Sequence, residues 1–361
     1  MKIWGISRGF RRRLFVYGLL GLCLAVPLML NRWRPWEPSQ IVWSMKTGGE
    51  FLAGPAVGEA RIYFASNDRT LHAMDWPSRE MIWATLLPDQ PADAPLLDAE
   101  EGLLFVVTQG GFILAHDAET GDRLWGRRVI TARHRASPVC DDDTLYVGMP
   151  DAQVYAMEKT TGRLRWQVFA GGPIRTGPAL VDGTVYVATE LGLVLALDAE
   201  TGAERWAFQT EGRIHGSPAV NEGVVYIGSQ DMHLYAIDAE TGELIWRRRA
   251  WHEISSRPAF ADGCVIYGSW DYHVTCADIR DGHIIWRHGT QDVVEGSPLV
   301  ADGVVYIGSR DGAVYALDLE TGRQIWREQT GTWVTATPAL APGGDAILAA
   351  SQDATLYALS P

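Results

Sequence analysis

Eleven side chains in this sequence combine the type and spacing needed for chemistry, and they fall into two groups. The first is Arg133, Arg135 and Arg175 with His215 and Glu295. Arg135, Arg175, His215, Ser255, Glu295 and Thr335 each stand three residues before a proline. Guanidinium forks match a carboxylate, so the three arginines suit an acidic group or peptide. The same arginines could equally neutralise acids of their own chain. The second group is His233, Trp251, His252, Trp270, Tyr272 and His273. Exposed aromatics beside histidines suit a peptide or sugar, and aromatics packed between loops would look the same. No zinc site is expected from them. If His233 and His273 hold equivalent positions on adjacent sheets they stand ~10 Å apart, whereas each ligand must come within ~2 Å of the metal. No catalytic set is present: there is no nucleophile elbow and no phosphate loop, and the only paired carboxylates lie in acidic turns such as Asp141-Asp142-Asp143.

The elements that must position these residues follow from a repeat. Trp43, Trp83, Trp125, Trp166, Trp206, Trp246, Trp286 and Trp326 recur every 40 to 42 residues, and the prolines from Pro55 to Pro338 keep the same beat. A sustained period near 40 means small units that bury their faces only against neighbours. In residues 216–247, a short strand after Pro218 leads to a turn at Asn221-Glu222-Gly223. Alternating β-branched and aromatic residues follow from Val224, the chain returns from His233, and an Ala-Glu-Thr-Gly turn precedes a fourth strand carrying Trp246. Gly supplies the positive φ of such turns, and nothing in the unit has helical periodicity. Four strands per repeat around a ring make an all-β, single eight-bladed β-propeller. Its last unit lacks a Trp strand, which Ile41-Val42-Trp43-Ser44 supplies from the front, so an N-terminal strand closes the ring and removes an exposed edge. The first strand of each blade is then innermost. This puts the residues three before each proline around the channel mouth, opposite the acidic turns.

The segments at 115–125, 196–206, 236–246 and 316–326, of the form Ala-Leu-Asp-Ala-Glu-Thr-Gly-x-x-x-Trp, resemble the tryptophan-docking motif of pyrroloquinoline-quinone-like propellers. Degenerate copies at 73–83, 156–166 and 276–286 extend the resemblance over 41–361. It implies scaffold roles for the Asp, Thr, Gly and Trp of the motif. One branch of that family, the quinoprotein dehydrogenases, holds the quinone and calcium in the funnel under a disulfide between adjacent cysteines. No two cysteines are adjacent here, so no cofactor is expected, and quinone with calcium belongs only to an alternative reading as a dehydrogenase. The other branch, of the BamB type, belongs to outer-membrane β-barrel assembly. It implies a non-enzymatic scaffold that binds protein partners of the cell envelope, and a sensory propeller for small anions or sugars is a third reading.

Residues 1–30 hold five basic residues and no acid, so of a formal charge of −13 the remainder carries −18. Such a body is repelled by phosphate backbones, which argues against a nucleic-acid partner. Leu14 to Leu30 is an apolar run behind a basic stretch, the layout of a signal sequence or anchor. The expected organisation is a signal or membrane-anchor helix over 1–30, a linker over 31–40 and the propeller over 41–361. The body is then extracytoplasmic, tethered by residues 14–30, with secretion or lipidation at Cys23 as alternatives. Outside that run stand Cys140, Cys264 and Cys276, an odd set. An even loop around Asp271 would set Cys264 opposite Ala277 and turn the two thiols to opposite sides, so no disulfide is expected.

Overall fold

The computed structural model describes residues 40–129 and 136–361. The expected helix within 1–30, the linker up to residue 39, and Arg133 and Arg135 lie outside the described residues.

The remaining chain forms eight four-stranded sheets, the eight expected blades. Blade 5 shows why each forms. Its strands are Ala219–Asn221, Val224–Gly228, His233–Asp238 and Leu244–Arg249, hydrogen-bonded in that order. Glu222 and Gly223 join the first two with φ of 47° and 76°, the pair of positive values that a two-residue type I′ hairpin requires. One extra residue, Ile245, interrupts the ladder between the third and outer strands and re-aims the Trp strand. The second strand ends in Gly228 because a Cβ there would lie 2.3 Å from Ile254 Cγ2, an aliphatic residue of the crossing to blade 6.

The motif tryptophans join blade to blade. Trp206 is 8% exposed, and its Nε1 donates to Ala239 O in the next blade at 2.9 Å. The six from Trp83 to Trp286 all donate to the blade that follows, to Ala118, Lys159, Ala199, Ala239, Ile279 and Leu319. Gly202, with φ of 73°, gives the ring of Trp166 its seat: a Cβ would come within 2.8 Å of the indole. Asp198 Oδ1 holds that turn by accepting from Thr201 N and Oγ1 at 2.9 and 2.8 Å, which lowers the Asp198 carboxyl to about 2 through its Arg205 and Thr201 partners.

Between blades the walls are apolar, with Tyr226, Leu234, Ile254, Val265 and Tyr267 buried together between blades 5 and 6. The wall between blades 2 and 3 also buries a charge pair. Lys159 Nζ lies 2.7 Å from Asp98 Oδ2, their side chains 5% and 9% exposed. Burial opposes the ammonium, but Asp98 and Glu101 outweigh it, and the Lys159 pKa stays above its ordinary value.

The first strands touch around the axis, with that of blade 1 against that of blade 8. Ile41–Lys46 closes the ring as the outer strand of blade 8, pairing Trp43 with Ala358 and Lys46 with Thr355. Ser360 N donates to Gln40 O at 2.7 Å, and Gln40 N to Glu328 of blade 7 at 2.7 Å. Trp43 meets Trp76 edge-on at 6.2 Å.

One expectation is overturned. Three residues, Trp270, Asp271 and Tyr272, make the loop in blade 6, with Ser269 opposite His273 and Tyr272 at φ 66°. The odd loop shifts the register by one, so Cys264 faces Asp278 and Ile266 faces Cys276. The two cysteines share a face, are joined as a disulfide with Cα atoms 5.7 Å apart, and lie in the buried wall between blades 6 and 7. Cys140 is the free cysteine among the described residues. No helix among them is long and apolar enough to cross a membrane.

Candidate functional site

The two faces of the ring differ. Ala239 N bonds Gly223 O at 2.9 Å, which puts the acidic turns and the two-residue hairpins on one face. Gln230 N bonds Arg213 O at 2.8 Å, which puts the three-residue loops and the crossings on the other. On the second face a funnel of about 750 Å³ opens along the axis.

Arg175, His215, Ser255, Glu295 and Thr335 all line that funnel, where the sequence placed them. What the sequence reading missed is their partner row, the residue that opens each three-residue loop: Glu190, Gln230, Trp270, Arg310 and Gln352. The backbone N of each donates to the crossing beside it at 2.8 to 3.0 Å, which fixes the direction of its side chain. The side chains then pair within each blade. Arg175 Nε meets Glu190 Oε1 at 2.9 Å. His215 Nδ1 meets Gln230 Nε2 at 3.0 Å, and Trp270 Nε1 donates to Ser255 Oγ at 3.0 Å. Arg310 grips both carboxylate oxygens of Glu295 through Nε, at 2.9 Å, and Nη2, and Gln352 Nε2 donates to Thr335 Oγ1 at 3.1 Å. The signal was present: Gln230, Trp270, Arg310 and Gln352 are the variable position inside the repeated Ser-x-Asp of the loops, and Glu190 holds the equivalent place in Thr189-Glu190-Leu191, all near the period of the tryptophans. Arg175 is thus paired with an acid of its own blade rather than standing as part of an unopposed basic arc.

The second group does not form one cluster. Trp270 belongs to the funnel, stacked on His252 at 6.2 Å with planes 18° apart. Arg310 lies 4.8 Å from the ring centres of both Trp270 and Trp333, so three side chains alternate along the wall over blades 6 to 8. Trp251 sits further out, 62% exposed, with the Arg287 guanidinium 3.7 Å over one face. Arg287 can reach it because blade 6 departs from its neighbours. In blades 3, 5 and 7 a tyrosine hydroxyl donates to the loop aspartate. Blade 6 has the buried Thr275 at that position, and Asp271 binds Arg287 instead at 2.6 Å. Tyr272 is exposed beside it. His233 and His273 are each held by their own loop, through Asp231 and the Asp271 carbonyl at 3.1 and 2.7 Å, and so point to separate partners.

On the opposite face Asp278, Asp281 and His283 bring ligand atoms within 4.8 Å of one another. A cation is already supplied there by Arg280, whose Nε donates to Asp278 Oδ1 at 2.9 Å.

Comparison with known proteins places this geometry. The family model described as outer membrane protein assembly factor BamB matches residues 37–174, 150–255 and 235–361. The BamB of Moranella endobia is 25% identical over 136 residues, covering 35% of this chain and 34% of that protein. A serine/threonine-protein kinase AfsK of Streptomyces coelicolor is 32% identical over 136 residues, 37% of this chain and 15% of the kinase. These matches therefore span well under half the length of either relative. The crystal structure of BamB from Moraxella catarrhalis superposes with a TM-score of 0.77 at 20% identity, covering 90% of this chain and 100% of that one.

Proposed function

Because this chain belongs to the family of the outer membrane protein assembly factor BamB, we propose that it is a non-enzymatic binding scaffold of the cell envelope. Protein partners dock on its funnel face. The observation that carries this is the division between faces. One face is spent on near-identical turns that seat the tryptophans. The other carries the residues that vary from blade to blade, among them the exposed Trp251, Tyr272 and Trp333. Aromatic and arginine side chains on a rigid support are the residue types that concentrate interface energy. The loop hydrogen bonds and the Arg287 and Arg310 stacks hold them in place before any partner arrives.

The body lies on the extracytoplasmic side in this reading, tethered through residues 14–30. A disulfide inside a blade wall supports it, since such bonds persist in oxidising compartments. No cofactor takes part. The Cys264–Cys276 bond lies inside a wall, not over the funnel where a quinone cap would stand.

Crosslinking on intact membranes followed by capture of the full chain tests the proposal. The Trp251→Ala/Trp333→Ala double variant is expected to lose the crosslinked envelope proteins while keeping its melting temperature. The same proteins recovered at the same yield would move the site away from this face. Adding pyrroloquinoline quinone with calcium is expected to give neither bound-quinone absorbance nor dye reduction. Either signal would sink the scaffold reading.

A further inference from the structure

Below the funnel the axial channel narrows to a second cavity of about 450 Å³. The residue immediately before each proline faces it, one per blade. Seven of these eight positions hold Gly, Ala, Ser or Thr, as the crowded axis demands, and the eighth holds Arg257. Small residues also wire this ring together: Ser217 Oγ accepts from Gly177 N, and Ser297 Oγ accepts from Arg257 N, each at 3.0 Å.

Among the described residues the Arg257 guanidinium has no ion-pair partner and no side-chain hydrogen bond, although its backbone is tied down. The channel's own solvent reaches it, while the surrounding blades disfavour its charge and hold its pKa below the ordinary arginine value. This sets it apart from Arg175, Arg287 and Arg310, each matched to a carboxylate of its own blade. Two acids line the same cavity. Glu295 is taken by Arg310, and Asp93 accepts from Ala94 N at 2.8 Å. With no carboxylate of its own and with its charge disfavoured by the blades around it, this solvent-reached guanidinium is open to an arriving anion.

We propose that the axial channel is an anion site in which Arg257 receives a carboxylate, with the hydroxyls of the small-residue ring within the same cavity. The guanidinium fork fits the two carboxylate oxygens. With Asp93 and Glu295 nearby, a single negative charge suits the channel better than a phosphate dianion. The carboxylate comes from a small free acid or from the C-terminus of a peptide entering through the funnel.

Isothermal titration of the full chain tests this with sodium acetate, trialanine and trialanine amide, each against sodium chloride at equal ionic strength. Acetate or trialanine is expected to bind the parent protein and to lose at least tenfold in affinity in Arg257→Ser, which restores the residue of blades 3, 5 and 7. Binding by trialanine but by neither its amide nor acetate identifies the peptide terminus, and binding by acetate identifies a free acid. Arg257→Ser is expected to melt no lower than the parent, because it removes an unmatched charge. The proposal is overturned if no carboxylate binds beyond chloride or if Arg257→Ser binds equally well. It is also overturned if the parent shows no carboxylate-dependent heat while Arg257→Ser melts well below it, which would make Arg257 a structural plug.

Discussion

Removing the Lys159 ammonium leaves Asp98 as an uncompensated carboxylate in the wall between blades 2 and 3. Lys159→Met is therefore expected to cost about 3–5 kcal/mol in urea unfolding, and adding Asp98→Leu to recover most of it. His72 gives the opposite sensitivity, to acid. Its ring stacks on Phe64 at 5.0 Å, and neither ring nitrogen has a partner. Burial lowers its pKa from 6.5, only partly offset by Asp68. A histidine held neutral contributes stability that is complete above the unfolded value and is lost as pH falls from there toward the lower folded value. Stability should drop between pH 7.5 and 5.5, and His72→Leu should flatten that slope in denaturation curves at the two pH values. At Cys264 and Cys276 the sequence reading failed for a local reason: whether the loop around Asp271 holds an even or an odd number of residues decides which side each thiol takes. Tyr272 has a positive φ without being glycine, so nothing in the letters marked it. Reduction of the unfolded protein should add two hydrogens to its mass, and an unchanged mass would restore the original expectation.

Each blade depends on the next through one indole. Trp206→Ala opens a cavity and leaves the Ala239 carbonyl with only the longer bond from the Tyr186 hydroxyl at 3.2 Å, for an expected loss of about 3–5 kcal/mol by chemical denaturation. Trp333→Ala, on an exposed side chain, should cost far less. This contrast explains what was legible. A Trp and a Pro are demanded in every blade, and an Asp-x-Glu-Thr-Gly turn or a degenerate copy of it in seven, by the same steric problem, so repetition made the elements readable down to their faces. The inner row ahead of the prolines was readable for the same reason. Its partners Glu190, Gln230 and Arg310 obey the same period but differ in chemistry from blade to blade, so similarity did not flag them. Arg257 was hidden in the same way: its meaning comes from being the exception in a row of small residues, which matters only once that row is known to face a channel.

At the scale of the whole ring, cooperativity rests on closure. The strand Ile41–Lys46 is the outer edge of blade 8, and Gln40 also ties Ser360 to blade 7. Deleting residues 40–47 is expected to lower the melting temperature of the entire propeller in a single shifted transition. Unchanged melting would refute closure, and loss of only one blade's worth of signal would show that the blades unfold independently.

That same clasp sets an order in time. During synthesis Ile41–Lys46 emerges long before Thr355–Leu359, its partner in the finished sheet. The entropy of joining distant ends grows by only about 0.6 kcal/mol for each doubling of the loop, so the final state tolerates the span easily. The nascent chain has no such comfort, because seven blades must pass the ribosome while one strand edge waits unpaired, the kind of edge that recruits foreign strands. The strand made first is the last to be satisfied.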